Sequence, residues 1–280
     1  MVRLGVAQAP EGGSQRSKLL RCQVLEGPSA APASVIVKYA GLDPNAPGGL
    51  PRAFINEWAS LEFLSRLAER GGDRFAPRLY GADREAALLV MEDLGQGESL
   101  VQPLLGHDRA AAEAALDAYF RTLGRLGALT HPHSAEYWAI RDSLGPRDAY
   151  AQPTLDGERN SLWRWLTMIC DVVKIEPMPG VEADIAEAAR FNAEPGPFTA
   201  FSQSDTCPDN CMRHGEWMRL LDFEWGWVRN ALNDGARARS NFPTCWCVHR
   251  LPVETVRRVE ALYRAELVKG CPAEIGRAHV

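Results

Sequence analysis

About two-thirds of the way along the chain, the sequence reads Phe201-Ser202-Gln203-Ser204-Asp205-Thr206-Cys207-Pro208-Asp209-Asn210, with Asp222-Phe223-Glu224 soon after. An Asp in a turn, an Asn shortly beyond it and a second Asp closing a short apolar run are the parts Mg²⁺-assisted phosphoryl transfer needs. Asp205 would sit beside an acceptor hydroxyl, while Asn210 and Asp222 hold Mg²⁺ against a triphosphate. Either half alone reads equally well as a polar turn between strands. The N-terminal third supplies counterparts. Lys38 ends the apolar run Val35-Ile36-Val37-Lys38, where one ammonium reaches the α- and β-phosphates, and Glu57 lies in the first turns of the next helix, on the side able to pair with it. A strand-end lysine is commonly a solvated charge; the order of all these parts together favours chemistry. Glu224 is a further candidate, to aid a second metal or orient the acceptor, and Trp225 and Trp227 read first as packing residues.

The elements that must position these groups follow from periodicity. Short β-like runs at Val2 to Ala7, Lys18 to Leu25 and Ser34 to Tyr39 precede an amphipathic helix carrying Phe54, Trp58, Leu61, Leu64 and Leu67, which stops at Gly71-Gly72. Strands at Arg78 to Ala82 and Ala86 to Glu92 complete the order βββαββ. After Gly95 the pattern turns helical, at about 109–129, 162–174, 182–192 and 253–267, interrupted by β-like runs at Phe198 to Ser202 and Trp217 to Asp222. The expected division is an N-terminal lobe, 1–94, and a helical lobe, 95–280.

These motifs resemble those of the aminoglycoside phosphotransferase and choline kinase group of protein-kinase-like enzymes. Asp205 and Asn210 match that group's H-G-D-x-x-x-x-N loop, and Leu221-Asp222-Phe223-Glu224 matches its I-D-[FW]-E metal segment. The resemblance spans nearly the whole chain. It implies an α+β, two-lobed fold with a small antiparallel-sheet lobe and a mainly helical lobe. It also implies that Gly12-Gly13-Ser14 belongs to a phosphate-covering loop, and that Met91-Glu92-Asp93-Leu94 is a hinge whose backbone binds the base of ATP or GTP. The expected activity is transfer of the γ-phosphoryl group to a hydroxyl of a small molecule with Mg²⁺; the alternative is a catalytically weak or inactive nucleotide-binding protein. Three positions depart from the pattern: Gln203 and Ser204 stand where the group has His and Gly, and Cys207 where it has a basic residue.

Composition excludes other classes. At 280 residues with 46% hydrophobic and 24% charged residues the chain has enough apolar content for a substantial core, and a formal charge of -5 disfavours nucleic acid and anionic lipid as default partners. No apolar run is long enough to span a bilayer, and a cytoplasmic location is expected. Seven cysteines without a secretion signal predict reduced thiols; Cys207, Cys211, Cys245, Cys247 and His249 have only weak zinc-like spacing. The last residues, through Ile275-Gly276-Arg277-Ala278-His279-Val280, match a translated sequencing adapter. Residues 274–280 are therefore expected to be non-native, on a member truncated at its C-terminus, with apolar surface left exposed on the 253–267 helix.

Overall fold

β-branched and apolar residues dominate β3 (Ser34–Tyr39) and β5 (Leu88–Glu92), and these two pair antiparallel near the middle of a five-stranded sheet. Outside them lie β1 (Arg3–Gln8), β2 (Lys18–Glu26) and β4 (Leu79–Asp83), giving the order β1-β2-β3-β5-β4 with every pairing antiparallel. The computed structural model describes residues 2–8, 18–43, 45–46, 49–147, 153–240, 245–247 and 250–271. Gly12, Gly13, Ser14, His249 and the 274–280 tail lie outside the described residues. The β4–β5 hairpin is closed by the Asp83 carboxylate, which accepts from Ala86 N at 2.9 Å, the side-chain turn that favours Asp there.

Among the described residues of this half the one α-helix, α1 (Arg52–Glu69), buries Phe54, Ile55, Leu61, Phe63, Leu64 and Leu67. Its apolar face is wide because it serves two neighbours. Ser65 Oγ accepts from Leu79 N at the start of β4, while the Phe63 ring meets Tyr137 edge-on and packs on Phe201 of the helical half, both at 5.7 Å. Glu57 thus sits on an element shared between the two halves.

The rest of the chain comprises α2 (Val101–Leu105), α3 (Arg109–Thr130), α4 (Ser134–Leu144), α5 (Leu155–Val173) and α6 (Val181–Ala193), then β6 (Thr199–Ser202), β7 (Cys211–His214), β8 (Trp217–Leu220) and β9 (Trp227–Asn230), and finally α7 (Leu232–Gly235), α8 (Arg237–Ser240) and α9 (Val253–Leu267). β6 pairs with β9 and β7 with β8, both antiparallel. The central helix α3 starts at Asp108, whose carboxylate accepts from Ala110 N and Ala111 N. Two of its buried threonines serve the strands: Thr122 Oγ1 accepts from Met218 N at 3.0 Å and Thr130 Oγ1 from Phe201 N at 3.1 Å. Backbone donors that reach the core on short strands need such partners.

Three expectations are corrected here. The thiols are not all reduced: Cys207 and Cys245 form a disulfide, with Cys22, Cys170, Cys211, Cys247 and Cys271 free. The sequence missed the helices α2, α4, α7 and α8 and the strands β7 and β9, and β8 ends at Leu220, so Asp222 stands beyond the strand. Finally, Val259, Tyr263 and Leu267 of α9 are buried, and Gly124 of α3 sits where a Cβ would collide with the Tyr263 carbonyl oxygen, so α9 is closely packed. A row of exposed apolar side chains lies on α5, with Trp165, Met168, Ile169 and Val172 all exposed and Cys170 buried, while on α9 Val253 at its start is exposed. Among the described residues, no helix is long and apolar enough to cross a membrane.

Candidate active site

Pairing of β3 with β5 sets Lys38 opposite Leu89 in the sheet, and α1 brings Glu57 to it from the next element. The ammonium Nζ lies 2.6 Å from Glu57 Oε2 and 2.7 Å from Asp222 Oδ1. One cation therefore joins a strand, a helix and the segment after β8. Burial alone would lower the Lys38 pKa, but the two carboxylates outweigh it and raise it above the usual lysine value. Burial pushes Glu57 up to about 7, against the pull of Lys38. Both directions hold together because one ammonium shared between two carboxylates does not offset the complete burial of Glu57.

Asp205 and Asn210 come from the loop after β6, which has no regular structure of its own. Asn210 Nδ2 donates to Asp205 O at 3.1 Å, which ties the amide nitrogen and leaves Oδ1 as its end for a cation. Burial, then the nearby Asp222 charge, push the Asp205 carboxyl above the usual range, while the Asn210 amide pulls it down. Burial and Asp222 likewise raise Glu224, whose Oε1 accepts from Trp225 Nε1 at 3.1 Å. Trp225 stacks against Arg52 at 4.7 Å, and Trp227 is buried on β9. Asn210 and Asp222 offer hard oxygen donors that suit Mg²⁺, an ion that takes one or two protein ligands and fills its shell with water and phosphate oxygens. Among the described residues no three His, Cys, Asp or Glu side chains form a metal-holding group, which leaves the zinc reading without a site there.

Other residues hold this loop, and sequence reasoning missed most of them. Gln203 is fully buried, and its Nε2 donates to Asn210 O at 3.0 Å and to Leu221 O. It thereby connects the Asp205 loop to the Asp222 segment, from the position where the resemblance expects a histidine. Buried Asp234 accepts from Ser202 Oγ at 2.8 Å, and that hydroxyl accepts from Ser204 N at 2.9 Å. Tyr119 of α3 donates to Thr206 O at 2.8 Å. Behind Asp222, Tyr137 donates to Gly226 O at 2.8 Å and Asn56 Nδ2 to Glu224 O at 3.4 Å, with Asn56 itself held by buried Arg141 at 2.9 Å. The sequence signal at Asn233-Asp234-Gly235 was that of a turn, and at Tyr119 and Tyr137 that of core aromatics.

Of the hinge segment, Met91 and Glu92 close β5, and Asp93 is tied inward. Its carboxylate accepts from Ser34 Oγ at 2.7 Å, Arg21 Nη2 at 3.0 Å and Gly95 N at 2.9 Å. Burial would raise its pKa, but these donors hold it below the usual range. The Asp93 side chain is thus spent on the sheet, while Met91 lies in the ladders with both β3 and β4 and Glu92 N donates to Arg78 O at 2.8 Å.

Two non-glycine residues at the site occupy the left-handed region, Ser204 at φ 66° and Asp222 at φ 58°. Ser204 Oγ is also buried with no hydrogen-bond partner among the described residues. Replacing Ser204 with Gly removes both the strain and the unsatisfied hydroxyl. The variant should gain up to about 1 kcal/mol in chemical denaturation; a loss of stability would show that the hydroxyl has a partner and the backbone no strain.

No protein-family model and no curated protein matches the sequence. Solved structures match in fold. A provisionally assigned aminoglycoside phosphotransferase from Ralstonia eutropha JMP134 aligns at TM-score 0.55 and 17% identity, covering 95% of this chain and 75% of its own. The macrolide 2′-phosphotransferase of Brachybacterium faecium aligns at 0.53 and 16% identity, covering 94% and 79% respectively. A choline kinase from Cryptosporidium parvum Iowa II aligns at 0.51 and 14%, covering 96% and 74%.

Proposed function

We propose that this chain, whose fold is the two-lobed protein-kinase-like fold of aminoglycoside phosphotransferases and choline kinases, transfers the γ-phosphoryl group of ATP or GTP to a hydroxyl of a small molecule. The observation that carries the reading is the Lys38 ammonium held between Glu57 at 2.6 Å and Asp222 at 2.7 Å, next to the loop that bears Asp205 and Asn210. Fold alone supports many chemistries, and this site is what narrows them. In this reading Gly95 divides a nucleotide-binding lobe, 1–94, from a catalytic lobe, 95–280, and nucleotide lies between them against the backbone of Met91, Glu92, Asp93 and Leu94.

Each residue has a defined task. Lys38 binds the α- and β-phosphates and Glu57 fixes where its ammonium sits. Asn210 and Asp222 hold Mg²⁺, which when bound neutralises charge on the phosphate oxygens. Asp205 orients the acceptor hydroxyl and takes its proton as the new O–P bond forms. Gln203 keeps these two segments in register. A cytoplasmic location fits this reading because that compartment supplies nucleoside triphosphate.

A nucleotide-consumption screen of the purified chain with Mg²⁺, against hydroxylated metabolites and aminoglycosides, tests the proposal. Acceptor-dependent release of nucleoside diphosphate is the expected result. Nucleotide binding without consumption across the panel would favour the alternative, a non-catalytic nucleotide-binding protein.

A further inference from the structure

One downstream stretch grips the residues around Asp205 in succession. From α8, Arg237 donates through Nε to Thr206 Oγ1 at 2.6 Å and through Nη2 to Ser204 O at 3.3 Å. Cys245 is bonded to Cys207, and Trp246 donates its indole N–H to Asp209 Oδ2 at 2.9 Å. Positions 204, 206, 207 and 209 are thus held from outside the loop. The loop's own local backbone bonds are few: Asp205 N to Gln203 O at 2.9 Å and Asn210 N to Cys207 O at 3.0 Å. Its shape therefore depends on such attachments.

Their strengths differ. Trp246 is 71% exposed and Asp209 is exposed, so water competes for that hydrogen bond and it contributes little alone. The disulfide is the one attachment that thermal motion does not open. It stands where the resemblance expects a basic residue, so position 207 carries a cross-link in place of a charge, while Arg237 supplies a guanidinium alongside.

We propose that residues 237–240 and 245–246 form a clasp that sets the Asp205 loop for phosphoryl transfer, with the Cys207–Cys245 bond as its redox-sensitive pin. This rests on the reading of Asp205 as the residue that faces the acceptor. A dithiol reductant releases the pin. Its thiolate attacks one sulfur of the bond, most readily that of partly exposed Cys207, since Cys245 is buried. The S–S bond breaks, a mixed disulfide forms and Cys245 leaves as thiolate and takes up a proton. The reductant's second thiol then closes its own disulfide and frees Cys207, so two electrons and two protons pass from the dithiol to the cysteine pair. In the reduced protein the loop keeps only its non-covalent holds, and small displacements of a reacting group cost large factors in rate.

The experiment compares the full chain before and after dithiothreitol, with Cys245→Ser as a second route to the open clasp. Denatured without reductant, the protein should show five titratable thiols of its seven. Amide exchange over residues 204–210 should quicken at least about tenfold on reduction and in Cys245→Ser, with α3 unchanged. Nucleotide turnover should fall along with it. Seven thiols in the unreduced protein, equal loop exchange in both states, or faster exchange with undiminished turnover would each overturn the clasp. Faster loop exchange in a protein that turns over no nucleotide in either state would support the clasp while counting against the phosphotransferase reading.

Discussion

Asp222→Asn should abolish Mg²⁺-dependent nucleotide turnover, a loss of at least roughly 10³-fold, because the metal's charge stabilisation amounts to several kcal/mol. Asparagine is the informative substitution. Asp222 sits at φ 58°, a conformation that Asn tolerates better than most non-glycine residues, and the side-chain volume is nearly unchanged. The fold should therefore survive, as judged by circular dichroism and melting temperature. An alanine would confound lost metal binding with backbone strain. Near-normal turnover in the folded Asn variant would remove Asp222 from the site.

Lys38→Met should lower turnover by about 10² to 10³-fold and Glu57→Gln by about tenfold. The asymmetry has a structural cause. Lys38 contacts phosphate in the proposed mechanism, whereas Glu57 only positions it, and Asp222 at 2.7 Å still restrains the ammonium when Glu57 is neutral. Equal losses in the two variants would contradict that division of roles. Stability gives an independent readout. Burial raises Glu57 from 4.5 to about 7, so the folded state binds a proton there that the unfolded state has released. Its contribution is fully present below the unfolded pKa and is lost as pH rises through about 7. Glu57→Gln should flatten this slope; an unchanged slope in urea denaturation across that window would show that Glu57 is not the group responsible.

The candidate site residues were chosen from type and spacing alone. Asp205, Asn210 and Asp222 stand out because phosphoryl transfer needs hard oxygen ligands and a carboxylate in that order, and Lys38 because it ends an apolar strand. Local pattern also located β3, α1 and α9, because a long apolar stripe repeats often enough to reveal its period. Such patterns fail for β7, which ends in the polar Arg213-His214, and for β9, which ends in Arg229-Asn230, whereas the equally short β6 and β8 carry enough apolar residues to show. They failed for α4 as well, where Tyr137, Ile140 and Leu144 make a short stripe directly after a 3₁₀ turn at His131–His133.

Tertiary structure alone decided how distant groups meet. Lys38 and Asp222 are 184 residues apart in the chain, and no local preference encodes their ion pair. Gln203 reads in the sequence as a departure from a motif, yet its two donor bonds link the segments of Asn210 and Asp222, because an amide can brace two carbonyls where a histidine was expected. Among seven cysteines, spacing could not select Cys207 and Cys245, which are separated by 38 positions and joined because the chain after α8 returns to the Asp205 loop. Sequence fixes which side chains can do chemistry; burial and long-range contact decide which of them share a charge, a bond or a loop.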